Sequence, residues 1–406
     1  MEHAFYRVRM TDDFGTVFDV GDLAATGERC GFRYGKAGEL FPVDPINLPI
    51  EKFAYEESKA LFGVFEDSLP DGWGRALMGK VLNLSHAQQS PHLLLQYLDH
   101  KSIGALSYER LDGEAPTEEI EESIGSIEEL AAAAQAFERG ALQDDVMLQR
   151  LFKSAGSSGG AHPKLSVIGQ DGQLKLVKLP SIRDTYDVVG LEASCLELAR
   201  MGGMQVPEFT ILQTGKTKLL CLDRFDRTDR GNRHMISMQS LLNVTGFYHS
   251  SYVQMADIVR AVSCNPMGDL HALFRQMIFN AVIGNTDDHL KNFSMYYCDG
   301  YCLTPAYDLL PDVNQRASHT LSFLNSDVGP RRSEATGSLA TSFKISSKVA
   351  EEIVDEVVEI VVANWRSVCL QYGVPESDII HFEKYIERQA AKLGKPRTSN
   401  FTLSGR

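Results

Sequence analysis

The chain has 406 residues, 43% hydrophobic and 23% charged, the proportions of an ordinary folded protein and a length beyond what one hydrophobic core normally serves. No apolar run approaches the roughly 18 residues a membrane span needs, and Met1-Glu2-His3-Ala4-Phe5 has no basic stretch leading into an apolar one, so a cytoplasmic protein without a membrane partner is expected. A net charge of −14, a pI near 5.3 and no stretch rich in Lys and Arg argue against direct nucleic-acid binding, because duplex phosphates require clustered cations.

In chain order, residues 5–9 and 16–20 alternate apolar and polar positions as strands do, and helical spacing follows over about 56–84. Between them these segments describe a small α/β unit. Inside it, Ser68-Leu69-Pro70-Asp71-Gly72-Trp73-Gly74-Arg75 puts turn chemistry ahead of a helix start. The acidic, turn-rich stretch 112–125 marks a boundary or exposed loop, and Ser126-Ile127-Glu128-Glu129 fits a capping box opening an Ala-rich helix over 130–137. From 156 to 227 the pattern is glycine loop, strand, turn, strand, helix, strand. Residues 165–168 and 174–178 read as a hairpin closed at Asp171-Gly172. Beyond Ser240 helical spacing dominates, broken by one hairpin after Asn292, and 349–362 is a strongly apolar core helix. The seven cysteines are scattered, without paired C-x-x-C spacing, and read as reduced structural thiols.

The most informative stretch is Gly284-Asn285-Thr286-Asp287-Asp288-His289-Leu290-Lys291-Asn292, followed by a hairpin turning at Asp299-Gly300 and then Tyr307-Asp308. Protein kinases place an Asp base five residues before a metal-binding Asn and a second metal-binding Asp after an intervening hairpin. Asp287, Asn292 and Asp308 reproduce that spacing. Phosphoryl transfer needs the acceptor hydroxyl aimed in line and the phosphate charge neutralised by Mg²⁺, which favours hard oxygen ligands. Upstream, Lys178 ends a strand and Glu192 lies in the helix-like segment 188–200, the order in which kinases present a phosphate-binding lysine and its helix glutamate. Gly156-Ser157-Ser158-Gly159-Gly160-Ala161-His162-Pro163-Lys164 is the phosphate-cradling candidate. Leu220 to Arg227, an apolar strand running into charge, fits a connector between lobes whose backbone could read adenine.

With these residues in hand, the chain resembles the HipA family of serine/threonine kinase toxins over nearly its whole length. The matching elements are Leu69-Pro70-Asp71-Gly72-Trp73-Gly74-Arg75, Gly159-Gly160-Ala161-His162-Pro163-Lys164, Val177-Lys178-Leu179-Pro180, Asp223-Arg224-Phe225-Asp226-Arg227, the run 286–294, and Tyr307-Asp308-Leu309. The resemblance implies an α+β, two-lobed kinase-like fold, with an N-terminal subdomain over 1–112, an ATP-binding region over 113–227 and a mainly helical lobe over 228–406. It places ATP contacts at Gly159, Gly160, Ala161, His162, Lys164, Lys178, Asp223, Arg224, Phe225, His289, Lys291, Asn292, Tyr307 and Asp308. Magnesium falls to Asn292 and Asp308, and the base to Asp287 rather than Asp288. It further implies autophosphorylation at Ser157 or Ser158, a protein substrate such as an aminoacyl-tRNA synthetase, and a DNA-binding antitoxin as partner.

Three competing readings remain. Gly156-Ser157-Ser158-Gly159-Gly160 also satisfies G-x-S-x-G, but a nucleophile elbow needs a strand before it and a helix after, the reverse of the pattern here. A non-catalytic module that merely holds an antitoxin has no need of Lys178, Asp287, Asn292 and Asp308 together. A small-molecule kinase on a related fold is separated only by the family likeness.

Overall fold

The computed structural model describes residues 3–35, 41–99, 101–113, 122–156, 160, 162–246 and 249–395. Ser157, Ser158, Gly159 and Ala161 of the glycine loop lie outside the described residues.

Five antiparallel strands open the chain: β1 (Ala4–Thr11), β2 (Val17–Ala25), β3 (Cys30–Tyr34), β4 (Tyr55–Glu57) and β5 (Leu106–Arg110), in the order β4-β3-β2-β1-β5. In β1 the buried positions are Ala4, Tyr6, Val8 and Met10, the period of two that turns one face to the core. The helical spacing expected from residue 56 begins later. Glu56 and Glu57 pair with Gly31 and Cys30 as strand, and the first long helix is α1 (Gly72–Val81). Helix α1 joins two cores: Met78 belongs to the large one under this sheet, whereas Trp73 and Leu77 pack with α2 (Ile127–Glu138), α3 (Asp145–Ala155) and the next sheet.

The capping box expected at Ser126 is not formed. A short 3₁₀ turn over Ile124–Ser126 runs straight into α2 and holds Ser126 at φ −90°, ψ 3°, away from the extended backbone an N-cap side chain needs.

The second sheet, in the order β6-β7-β9-β8, comprises β6 (Lys164–Ile168), β7 (Leu174–Lys178), β8 (Phe209–Thr214) and β9 (Thr217–Asp223). The β6–β7 hairpin turns at Asp171-Gly172, with Gly172 at φ +78°. Helix α4 (Val188–Met201) crosses from β7 to β8; its N-cap Asp187 accepts from the Gly190 N–H at 3.0 Å, and nearly every residue from Val189 to Ala199 is buried.

The rest is mainly helical: α5 (Tyr252–Val262), α6 (Pro266–Ile283), α7 (Ser347–Gln371) and α8 (Glu376–Leu393), with α6 packed against the other three. A small sheet of β10 (Met235–Ser237), β11 (Ser294–Tyr297) and β12 (Tyr301–Leu303) supplies the hairpin expected after Asn292. Among the described residues no helix is long and apolar enough to cross a membrane.

Helix α6 stops at Gly284, which is left-handed at φ +69° and lies against α8; a Cβ there would sit 2.2 Å from Cε1 of Tyr385. The stop launches the segment 285–292. Gly284→Ala is therefore expected to destabilise the fold by about 2 kcal/mol or more, from the left-handed penalty and the clash together, read as a lower urea midpoint.

Candidate active site

Lys178 is the last residue of β7, 7% exposed, and its ammonium donates both to Oε1 of Glu192 on α4 and to Oδ1 of Asp308. The strand register sets Lys164 of β6 directly opposite Lys178. Two lysines facing each other on neighbouring strands repel, and the Asp308 carboxylate relieves this: its Oδ2 lies 3.7 Å from the Lys164 Nζ. Burial pushes the Asp308 pKa up, but the charges of Lys164 and Lys178 outweigh it and hold the carboxyl well below its usual range. Burial likewise opposes the charge on Lys178, and Asp308 and Glu192 overcome it, so its pKa is raised. At Lys164 burial wins and the pKa is lowered.

Asp308 stands at φ +52°, a left-handed conformation uncommon for a residue with a side chain. Such strain gathers where the surrounding structure over-determines a functional position. The amide of Asn285 helps to fix it, donating to the Asp308 carbonyl at 3.3 Å and to Oδ1 of Asn280 at 3.2 Å.

The segment 285–292 sorts its two adjacent acids by environment. Asp288 is fully buried and accepts from Tyr252 Oη at 2.7 Å, from the Thr320 N–H at 2.9 Å and from the Leu321 N–H at 3.3 Å, with His319 Nδ1 at 3.0 Å. Its oxygens are committed to bracing the segment. Asp287 is exposed. Partial burial raises its pKa against the pull of His289 and Arg316. The amide of Asn292 donates to the Asp287 carbonyl at 2.8 Å, which leaves its Oδ1 as an acceptor without a partner among the described residues. An amide oxygen and a carboxylate are the hard donors Mg²⁺ takes, so Asn292 and Asp308 fit that ion chemically.

Tyr307 Oη donates to the Lys291 carbonyl at 2.9 Å and lies 2.9 Å from Ser294 Oγ, and its ring sits 5.7 Å from that of Phe225. His162 is held by Asp184 at 2.8 Å, and that hydrogen bond raises its pKa. Gly160 accepts from the Trp73 N–H at 3.3 Å. Asp223 is exposed and pairs with Lys175 at 2.9 Å. The Arg224 guanidinium is buried, donating to Asp226 and to the carbonyls of Lys101 at 2.6 Å and Ser102 at 3.0 Å. Its side chain is spent on a seam between subdomains, which leaves only its backbone to offer a nucleotide.

Sequence reasoning missed two features. One is the buried Asp288–Tyr252–His319 cluster, whose members are 36 and 31 residues from Asp288 and carry no local motif. The other is the ion pair between Lys291 and Asp71 at 2.8 Å, which joins the N-terminal subdomain to the catalytic-loop candidate. Asp71 stands in a run already singled out, so the position was visible but not its partner.

A model of the HipA-like C-terminal domain matches residues 156–365, more than half of the chain, and a model of the HipA N-terminal domain matches residues 16–109. The chain belongs to the HipA family. Among curated relatives, the candidate kinase Y4dM of Sinorhizobium fredii is 28% identical over 286 residues, 66% of each chain. The serine/threonine-protein kinase toxin HipA of Shewanella oneidensis is 29% identical over 184 residues, 38% of this chain and 42% of that one. The chain thus spans between 42% and 66% of the length of these two curated relatives. The solved structure of Shewanella oneidensis HipA, taken from its complex with HipB and operator DNA, superposes with a TM-score of 0.71 at 17% identity, covering 94% of this chain and 96% of that one. That likeness gives the HipA-like kinase fold.

The environments of the two acids make a direct test. Asp288→Ala strands several buried donors and is expected to cost about 3 kcal/mol or more, whereas Asp287→Ala should stay within about 0.5 kcal/mol of the parent. Urea denaturation of both variants reads the difference.

Proposed function

We propose that this HipA-family protein is an ATP- and Mg²⁺-dependent serine/threonine protein kinase with Asp287 as its base. The observation that carries the reading is the buried Lys178 ammonium bonded at once to Glu192 and Asp308. A strand lysine paired to a helix glutamate is how kinases hold a phosphate-binding cation in place.

In this reading Lys178 and Lys164 bind the triphosphate, Gly160 lies along it, and the Phe225–Tyr307 side borders the adenine. Asn292 and Asp308 would hold Mg²⁺, which would neutralise the phosphate charge. Asp287 accepts the proton from the acceptor hydroxyl, and its exposure leaves it open to an incoming protein chain. Asp288 keeps the loop in place and takes no part in proton transfer.

The finer assignments rest on family likeness. A serine of the loop, Ser157 or Ser158, is the proposed autophosphorylation site; a phosphate there brings about −1.5 to −2 charge beside the ATP phosphates and repels nucleotide. An aminoacyl-tRNA synthetase is the proposed class of substrate. A DNA-binding antitoxin is the proposed partner, after the HipB and operator DNA named with the Shewanella protein.

Two outcomes test the reading. Asp287→Asn should lower transfer from labelled ATP by roughly a hundredfold to ten-thousandfold while MgATP still binds, and Asp308→Asn should weaken metal-dependent nucleotide binding. Wild-type protein that labels neither itself nor any protein in a cell extract overturns the kinase assignment. Because burial raises the Asp287 pKa, the acid limb of kcat/KM against pH should lie above the ordinary carboxylate value. Activity falls as pH drops through it and the base is protonated.

A further inference from the structure

The seven cysteines fall into two sets. Cys30, Cys195, Cys221 and Cys369 are buried, whereas Cys264 and Cys298 are exposed and Cys302 is half-buried. The second set converges on the β11–β12 hairpin. Cys302 lies in β12 opposite Tyr296, and Cys298 sits at the turn, where its N–H donates to the Gly300 carbonyl at 2.9 Å. Cys264 reaches the same place from the loop between α5 and α6. Its N–H donates to the Tyr301 carbonyl at 2.8 Å, and its Sγ lies 2.7 Å from that of Cys302.

The surrounding backbone builds this contact. One oxygen of Asp269 accepts from the Ser263 hydroxyl at 2.7 Å and from the Leu303 N–H at 2.8 Å, so the residue before Cys264 and the residue after Cys302 are tied to a single atom. Gly300, at φ +134°, gives Cys264 its room: a Cβ at that position would sit 2.6 Å from the Cys264 Cβ. Two thiols held in this way need only small side-chain rotations to reach the about 2.05 Å of a sulfur–sulfur bond. Among the described residues no group of three or more His, Cys, Asp or Glu is placed to hold a metal ion, which leaves oxidation as the chemistry open to the pair.

We propose that Cys264 and Cys302 are a thiol-oxidation site that closes to a reversible disulfide when the protein meets a peroxide. The exposed Cys264 thiolate attacks one peroxide oxygen, the O–O bond breaks, and hydroxide leaves, giving a sulfenic acid. The Cys302 thiolate then attacks the Cys264 sulfur; the S–S bond forms as the S–O bond breaks, and the hydroxide released takes up a proton. Two thiols and one hydrogen peroxide thus become one disulfide and two waters. Burial and the contact with Cys264 push the Cys302 thiol up to about 12, which makes the exposed Cys264 the first sulfur oxidised. A dithiol reductant reverses the bond by exchange. The closed loop runs from 264 to 302 and contains α6, Asp287 and Asn292, so the bond staples both ends of the segment that carries them without engaging either side chain. The inference does not rest on the kinase reading.

The test treats the reduced full chain with hydrogen peroxide, blocks the remaining thiols by alkylation, and maps the unreduced digest by mass spectrometry. The expected product is one intrachain link, Cys264 to Cys302, two hydrogens lighter than the free pair and lost on adding dithiothreitol. It should form faster at pH 9 than at pH 7, because the thiolate is the attacking species and its fraction rises with pH. Urea denaturation should show a higher midpoint for oxidised than for reduced wild type, since the closed loop restricts the unfolded chain. That gain should vanish in Cys264→Ser and in Cys302→Ser and persist in Cys298→Ser. The mapping needs no variant, so it decides even if a serine variant folds poorly. Cys264 and Cys302 alkylated separately after peroxide, a link made through Cys298 instead, or a bond only between two chains would each overturn the proposal.

Discussion

One ammonium group organises the candidate site. Lys178 is almost wholly buried at the end of a strand, and a charge so placed is tolerated only when opposite charges surround it. Glu192 comes from α4 and Asp308 from beyond the β11–β12 hairpin, so the same ion cluster ties the second sheet, the helix behind it and the mainly helical lobe. Lys164 adds a second positive charge on the adjacent strand, and Asp308 lies between the two. In the proposed reading an entering polyphosphate meets two lysines already held in place by this carboxylate, which costs little further reorganisation.

A second constraint is the burial of Asp288. With its oxygens taken by Tyr252, His319 and two backbone donors, it fixes the segment from which Asp287 and Asn292 project. The chain places one acid inside, where it supports the segment, and its neighbour outside. The N-terminal subdomain contributes to the same region through Asp71 and Lys291, and the Arg224–Asp226 clamp onto residues 101–104 seals its other edge.

Much of this was legible in the sequence because the relevant signals are local. The Asp171-Gly172 hairpin, the alternation of β1, the helix over 188–200 and the spacing from Asp287 to Asn292 each depend on near neighbours. The pairing of Lys178 with Glu192 was inferred from their order along the chain, and the strand and helix supply its geometry. What sequence could not give was long-range or conformational. Ser126 carries the right residue types for a capping box, but a preceding 3₁₀ turn sets its backbone otherwise. Arg224 sits within a family-like run, yet its side chain turns to carbonyls 122 and 123 residues away. Glu56 and Glu57 look helical until β3 offers them a partner strand.

Phosphoryl transfer at this site would require Asn292 and Asp308 together to receive a divalent ion at the end of a nucleotide that Lys178 holds. Crystals grown with a non-hydrolysable ATP analogue and Mn²⁺ address it directly through anomalous scattering. A manganese peak bridging the Asn292 amide oxygen, the Asp308 carboxylate and the phosphates is the expected result. A nucleotide bound elsewhere, or a peak outside that pair while Lys178 keeps its contacts to both acids, would contradict it.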